Sequence, residues 1–172
     1  MEDINEKEFL SNSTTEFRKL KNLAERALAQ LQPADYHWQA DPESNSIATI
    51  MKHISGNMIS RWTDFLTTDG EKPTRNRDTE FIDDIGSVEA ITANWERGWE
   101  CLFDTLSRLT PEDLNKTVYI RKEPHSVIKA ILRQLAHYAG HVYQIVFIAK
   151  HLKSESWKSL SIPKGKSADF MR

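Results

Sequence analysis

Four stretches of the chain repeat apolar residues at the three-and-four spacing that turns one face of an α-helix towards a core. In the first, Phe17, Leu20, Ala24, Ala27, Leu28 and Leu31 share a face, and Pro33, which has no amide hydrogen to extend the ladder, ends it. The second opens near Asn45 or Ser46, either of which can cap it. Its face is Ile47, Ile50, Met51, Ile54, Met58, Trp62 and Phe65, followed by the polar residues 67–70. The third begins after Gly86 with Ser87 as N-cap, and Ala90 in place of Glu rules out a capping box. Val88, Ile91, Trp95, Trp99, Leu102, Leu106 and Leu109 form its stripe, closed by Thr110 and Pro111. The fourth runs from about 125 to 152, with Ile128, Ile131, Leu132, Leu135, Ala139, Val142, Ile145, Val146 and Ala149 on a broad apolar face.

The connections refine this picture. The polar link at about 68–86 is too long for a tight hairpin, so it can cross over and leave neighbouring helices parallel. Residues Thr117, Val118, Tyr119 and Ile120 suit a short extended piece, and the tail from about 154 is irregular. No internal repeat interrupts the pattern. The expected fold is all-α: one four-helix-bundle domain over residues 1–172, with a long crossover between its second and third helices.

Composition narrows the function. Hydrophobic residues make up 39% and charged residues 28%, and the seven Phe, five Trp and four Tyr supply ample core material. Net charge is −2, and the densest basic stretch, 72–77, is answered by Asp78, Glu80, Asp83 and Asp84. A nucleic-acid binder needs a basic stripe to neutralise phosphates, and none is present. There is no apolar run of membrane-spanning length and no secretory start, and residues 1–7 are polar and acidic, so the expected location is the cytoplasm. The single cysteine, Cys101, excludes an internal disulfide and a cysteine zinc cluster, and no histidine lies in sequence reach to activate it.

Three of the six histidines stand out as candidate ligands for a divalent metal ion. His137 and His141 are four residues apart, which stacks two imidazoles on one helix face, and Ala136, Ala139 and Gly140 let a neighbour approach. His53 lies at the margin of the second helix's stripe. Three neutral imidazoles leave a fourth position open, the pattern of a catalytic metal site. On angle alone, however, His137 and His141 lie opposite the centre of the fourth stripe, which also suits a solvated pair. The same side carries Ala130 and Ile148, and such a mixed face is often buried against a partner subunit.

Two metal classes drop out. A zincin needs Glu after the first histidine, where Tyr138 stands, and di-iron ligand histidines need Glu three residues earlier, where Gln134, Tyr138 and Ile50 stand. His37, His125 and His151, near helix ends or in connections, read as surface or capping residues. Glu89, Glu96 and Glu100 read as a solvated flank of the third helix. The tail's Pro-Lys-Gly-Lys-Ser lacks the first glycine of a phosphate loop, Leu160 taking its place.

The segments Asn45-Ser46-Ile47 and Met51-Lys52-His53-Ile54, with the later His137-x-x-x-His141, resemble the DinB-like (YfiT-like) superfamily of metal-binding four-helix bundles. The closing run from Trp157 to Pro163, with Gly165-x-Ser167, is similar to an uncharacterised branch of it. The resemblance covers most of the chain. It implies a homodimer and a nickel or zinc ion on His53, His137 and His141. Some relatives transfer low-molecular-weight thiols such as bacillithiol to electrophiles, or isomerise with mycothiol, and others are hydrolases. The resemblance thus implies a metal-dependent thiol transferase acting on a small-molecule thiol and an electrophile. The alternatives are a metal-dependent hydrolase and a non-catalytic, metal-stabilised dimer.

Overall fold

Three serines begin three of the four long helices. In the computed structural model, which describes residues 6–170, the helices are α1 (Glu6–Leu28), α2 (Ile47–Trp62), α3 (Val88–Arg108) and α4 (Val127–Lys153). Residues 1–5 of the acidic start, and the last two of the tail, lie outside this range. Ser46, Ser87 and Ser126 each accept a hydrogen bond from the amide three residues on, at 3.1–3.2 Å, which satisfies a donor that the first helical turn leaves free.

Side-chain contacts give the helix directions. Gly98 on α3 faces Ser55 on α2, and farther along both, the Thr105 hydroxyl donates to the Trp62 carbonyl, so α2 and α3 run parallel. Phe17 packs on Tyr138, and beyond the helix ends Gln30 bonds to Lys158, so α1 and α4 are parallel too. Lys21 pairs with Glu96 while Arg18 lies over Phe103, which makes α1 antiparallel to α3. His53 meets His137 and His141 while Asn57 meets Tyr138, and α2 is likewise antiparallel to α4. A parallel α2–α3 pair requires a long return, and residues 63–87 supply it, as expected from the length of that link.

Between α3 and α4 stands a hairpin, β1 (Thr117–Ile120) and β2 (Glu123–Ser126), paired antiparallel with Ile120 opposite Glu123. The extended piece expected at 117–120 is its first strand. The second strand takes residues from the expected start of the fourth helix, so α4 begins at Val127 rather than near 125. The two-residue turn holds Arg121 at φ 56° and Lys122 at φ 65°, strained for residues with a Cβ. Both of their amides donate to the Asp69 carboxylate, at 2.9 and 2.7 Å, which compensates the strain from outside the hairpin. Burial alone would raise the Asp69 carboxyl, but these amides and that of Glu71 hold it below its ordinary value.

One apolar cluster joins all four helices, with Phe17, Trp62, Trp95, Trp99 and Tyr138 almost wholly enclosed. Two expectations are corrected here. Helix α2 stops at Trp62, where Thr63 turns extended and Asp64 takes φ 48°, although Phe65 beyond the end is still buried. The buried face of α4 is Val127, Ala130, Ile131, Gln134, Tyr138, Val142, Ile145 and Ala149, whereas Leu132 is 50% exposed. The true stripe is rotated from the expected one, because a polar Gln134 and an aromatic Tyr138 occupy its centre. Among the described residues no helix is long and apolar enough to cross a membrane.

The α2–α3 contact is tight at Gly98, where a Cβ would stand 2.9 Å from the Ser55 Cα. Gly140 on α4 has open space around it. Gly98→Ala should therefore destabilise by about 1–3 kcal/mol through overpacking. Gly140→Ala should stabilise by up to about 1 kcal/mol through helix propensity. Chemical denaturation midpoints check the pair; equal shifts of the same sign would contradict this packing.

Candidate metal centre

Because α2 and α4 run antiparallel, His53 on one helix is brought level with His137 and His141 on the other. The His53 and His137 Nε2 atoms are 3.4 Å apart, and those of His137 and His141 are 3.2 Å apart. The possible ligand atoms of all three lie within 4.8 Å of one another, a set that could hold a metal ion. The rotation of the buried stripe explains how. With Gln134, Tyr138 and Val142 at its centre, His137 and His141 lie on its flank, half-buried, and not on the opposite side of the helix.

The remaining ring nitrogens show which way the rings are protonated. The His53 Nδ1–H donates to Glu80 Oε2 at 2.9 Å, and the His141 Nδ1–H donates to Gln144 Oε1 at 2.8 Å. Each bond places the proton on Nδ1 and leaves an Nε2 lone pair pointing into the cluster. For metal–nitrogen bonds of about 2.0–2.1 Å, the edge of a tetrahedron is about 3.3 Å. The observed separations of 3.2 and 3.4 Å bracket that length.

Glu80 is the functional residue that sequence reasoning missed. It sits in the return between α2 and α3, buried, and both its oxygens are bonded to Arg75, Oε1 to Nε at 2.7 Å and Oε2 to Nη2 at 2.6 Å. Gly56, nearly one turn beyond His53, makes room: a Cβ there would collide with the Glu80 carboxylate. Arg75 also reaches Glu71, and the buried Arg61 lies 3.8 Å from Glu71. On the other side of His53, Phe81 stacks on its imidazole with ring centroids 4.7 Å apart. One turn along α2 the Tyr138 hydroxyl donates to Asn57 Oδ1 at 2.9 Å and accepts from the Trp62 indole at 3.2 Å, pinning α4 to α2.

Electrostatics disfavour the protonated forms of His137 and His141. Burial, then the neighbouring His141, His53, Arg61 and Arg75, lower His137 to about 3. Burial lowers His141 as well, against the opposing bond to Gln144. Burial would raise the Glu80 carboxyl, yet the bonds from Arg75 and His53 prevail and hold it below its ordinary value. Imidazole nitrogens that converge beside a fixed carboxylate suit cation coordination with an oriented supporting shell.

The other candidates fall elsewhere. Cys101 is half-buried on α3, 3.6 Å from the Thr63 hydroxyl. Glu89, Glu96 and Glu100 are exposed, with Glu96 paired to Lys21, as a solvated flank should be. His37 bonds to Asp83, and His151 is exposed beside Trp38. The tail's Lys-Gly-Lys stretch is exposed. His125 corrects its expectation: it is buried in β2, its Nδ1–H donating to the Glu123 carbonyl and its Nε2 accepting from Arg133.

His137 has a consequence for stability. In the unfolded chain it takes up a proton near its ordinary 6.5, but in the folded chain only near 3. A folded value below the unfolded one, for a group buried neutral, gives stability present above about 6.5 and lost as pH falls towards about 3. The metal-free protein should therefore melt progressively lower from pH 7 to about 5, above the carboxylate range. His137→Gln should flatten that slope, and thermal melts across the interval check it.

No curated protein and no solved structure matches the chain. The profile of one family, described as "Protein of unknown function (DUF1572)", matches residues 5–166, almost the whole length. The chain belongs to the DUF1572 family.

Proposed function

We propose that this chain is a divalent-metal protein of the DinB-like four-helix-bundle type, with nickel or zinc held by His53, His137 and His141. The observation that carries the reading is the convergence of the three imidazoles, with the His137 Nε2 at tetrahedral-edge spacing from those of His53 and His141, whose protons are fixed on the far nitrogen. The two parallel helix pairs and the long return support the DinB-like assignment, as does the position of His53 opposite the α4 pair.

The activity we propose is transfer of a small-molecule thiol to an electrophile. A bound divalent ion with an open position would hold a thiol as its thiolate. The chain's own residues favour this over hydrolysis. Glu80, the carboxylate bonded to the cluster, has both oxygens committed to Arg75 and His53, so it is not free to act as a general base towards water. A cytoplasmic location, where thiols stay reduced, fits the reading.

We also propose a homodimer through α4. Leu132, Tyr143 and Phe147 are 50%, 60% and 72% exposed on that helix, a contiguous apolar face with Ala136 and Gly140 between them. Phe147→Glu should convert a dimer to a monomer in sedimentation analysis; a wild-type protein that sediments as a monomer at high concentration refutes it.

Elemental analysis tests the centre. The purified protein should hold one nickel or zinc per chain, His137→Ala should lose it, and Glu80→Gln should bind about 10–100-fold more weakly. Consumption of an electrophile such as a chlorodinitroarene should require added thiol and the ion. Turnover with water alone, indifferent to thiol, overturns the transferase reading and favours the hydrolase.

A further inference from the structure

Arg133 stands one turn before His137 and two turns before His141 on α4, so the three side chains share one flank of the helix. Its residue is exposed, but one end of its guanidinium is anchored: Nη1 donates to the Nε2 of buried His125 at 3.2 Å. The His125 Nδ1 proton is given to the Glu123 carbonyl at 3.0 Å, which leaves Nε2 as a neutral acceptor. A guanidinium in a folded protein commonly pairs with a carboxylate, which would cancel its charge. Here the anchor is an uncharged ring, and among the described residues Arg133 makes no ion pair. The hairpin therefore fixes Arg133 in place without neutralising it.

Arg61, close enough for Arg133 to disfavour its charge, is buried with its Nε and Nη1 unpartnered. Glu71, Glu80 and Asp69 are committed to Arg61, Arg75 and the hairpin amides, and none of them pairs with Arg133. Three neutral imidazoles would cancel none of a divalent ion's charge. An anion is what such a site is short of.

We propose that Arg133 is an anion-recognition subsite beside the three histidines, so that the molecule acted on carries an oxyanion group, a carboxylate or a phosphate. The free edge of the guanidinium takes two of its oxygens, and the rest of the molecule reaches the histidine cluster one turn away. His125 is the positioning residue that aims Arg133. This rests on the metal reading above and adds to it the class of ligand.

The test loads the full-length protein with Co²⁺, whose visible bands report coordination at the three histidines. Acetate, inorganic phosphate and neutral imidazole are then titrated separately into wild type, Arg133→Gln and Arg133→Lys. Acetate and phosphate should each perturb the wild-type bands, and Arg133→Gln should raise their half-saturating concentrations about tenfold or more. Imidazole should bind all three proteins alike. Arg133→Lys should recover phosphate binding better than acetate binding, because a lysine binds phosphate as a point charge but cannot form the two-pronged carboxylate pair. The oxyanion that wild type binds more tightly names the group. Normal bands with oxyanion affinities indifferent to Arg133→Gln overturn this inference and leave the metal reading intact. A wild-type protein that takes up no Co²⁺ overturns both.

Discussion

A single buried carboxylate holds the centre together. Glu80 belongs to the return between α2 and α3, yet it is bonded at once to Arg75 within that return and to His53 on α2. That contact fixes where the return packs, which nitrogen of His53 carries the proton, and the direction of the lone pair facing His137. Removing Arg75 would leave the Glu80 charge uncompensated in the interior, which costs far more than the pair itself contributes. The glycine at position 56 is part of the same device, since any side chain there would occupy the volume of the carboxylate. The long crossover is thus more than a topological necessity of parallel helices. It delivers the group that orients the His53 ring.

Helix existence was legible because the apolar period is strong and the caps are chemically plain. Ser87 caps α3 through the Ala90 amide without a capping box, as its sequence indicates. The face of α4 was harder. Summing apolar residues pointed to Leu132 and Leu135, but burial follows packing partners rather than polarity alone. Tyr138 is enclosed because Asn57 and Trp62 satisfy its hydroxyl, and this cannot be read from α4 by itself. The hairpin was half legible for a similar reason. Its turn lacks glycine and asparagine, the residues that announce positive φ, because Asp69, some fifty positions earlier, stabilises Arg121 and Lys122 through their amides.

The three-histidine cluster was legible as residue types at a spacing, while the groups that surround it were not. A pair of histidines four apart marks itself. Glu80 looked like one acid among several answering a basic stretch, and His125 like a surface residue, because each acquires its role only from a contact made by folding. Sequence separation hides long-range pairing, and the first of these partners is twenty-seven positions from the histidine it orients.

His53 in the cluster and His125 in the hairpin show how the same side chain serves opposite needs. His53 gives its Nδ1 proton to a charged acceptor, and the negative charge behind it raises the basicity of its free nitrogen towards a cation. His125 gives its Nδ1 proton to a backbone carbonyl, gains no charge, and uses its free nitrogen to hold a guanidinium whose own charge stays unspent. One arrangement concentrates electron density where a cation would sit; the other keeps positive charge available one turn away. With the first support reaching the cluster from α2 and the return, and the second reaching Arg133 from the hairpin, the flank of α4 between them is organised for a cation at one end and an anionic group at the other.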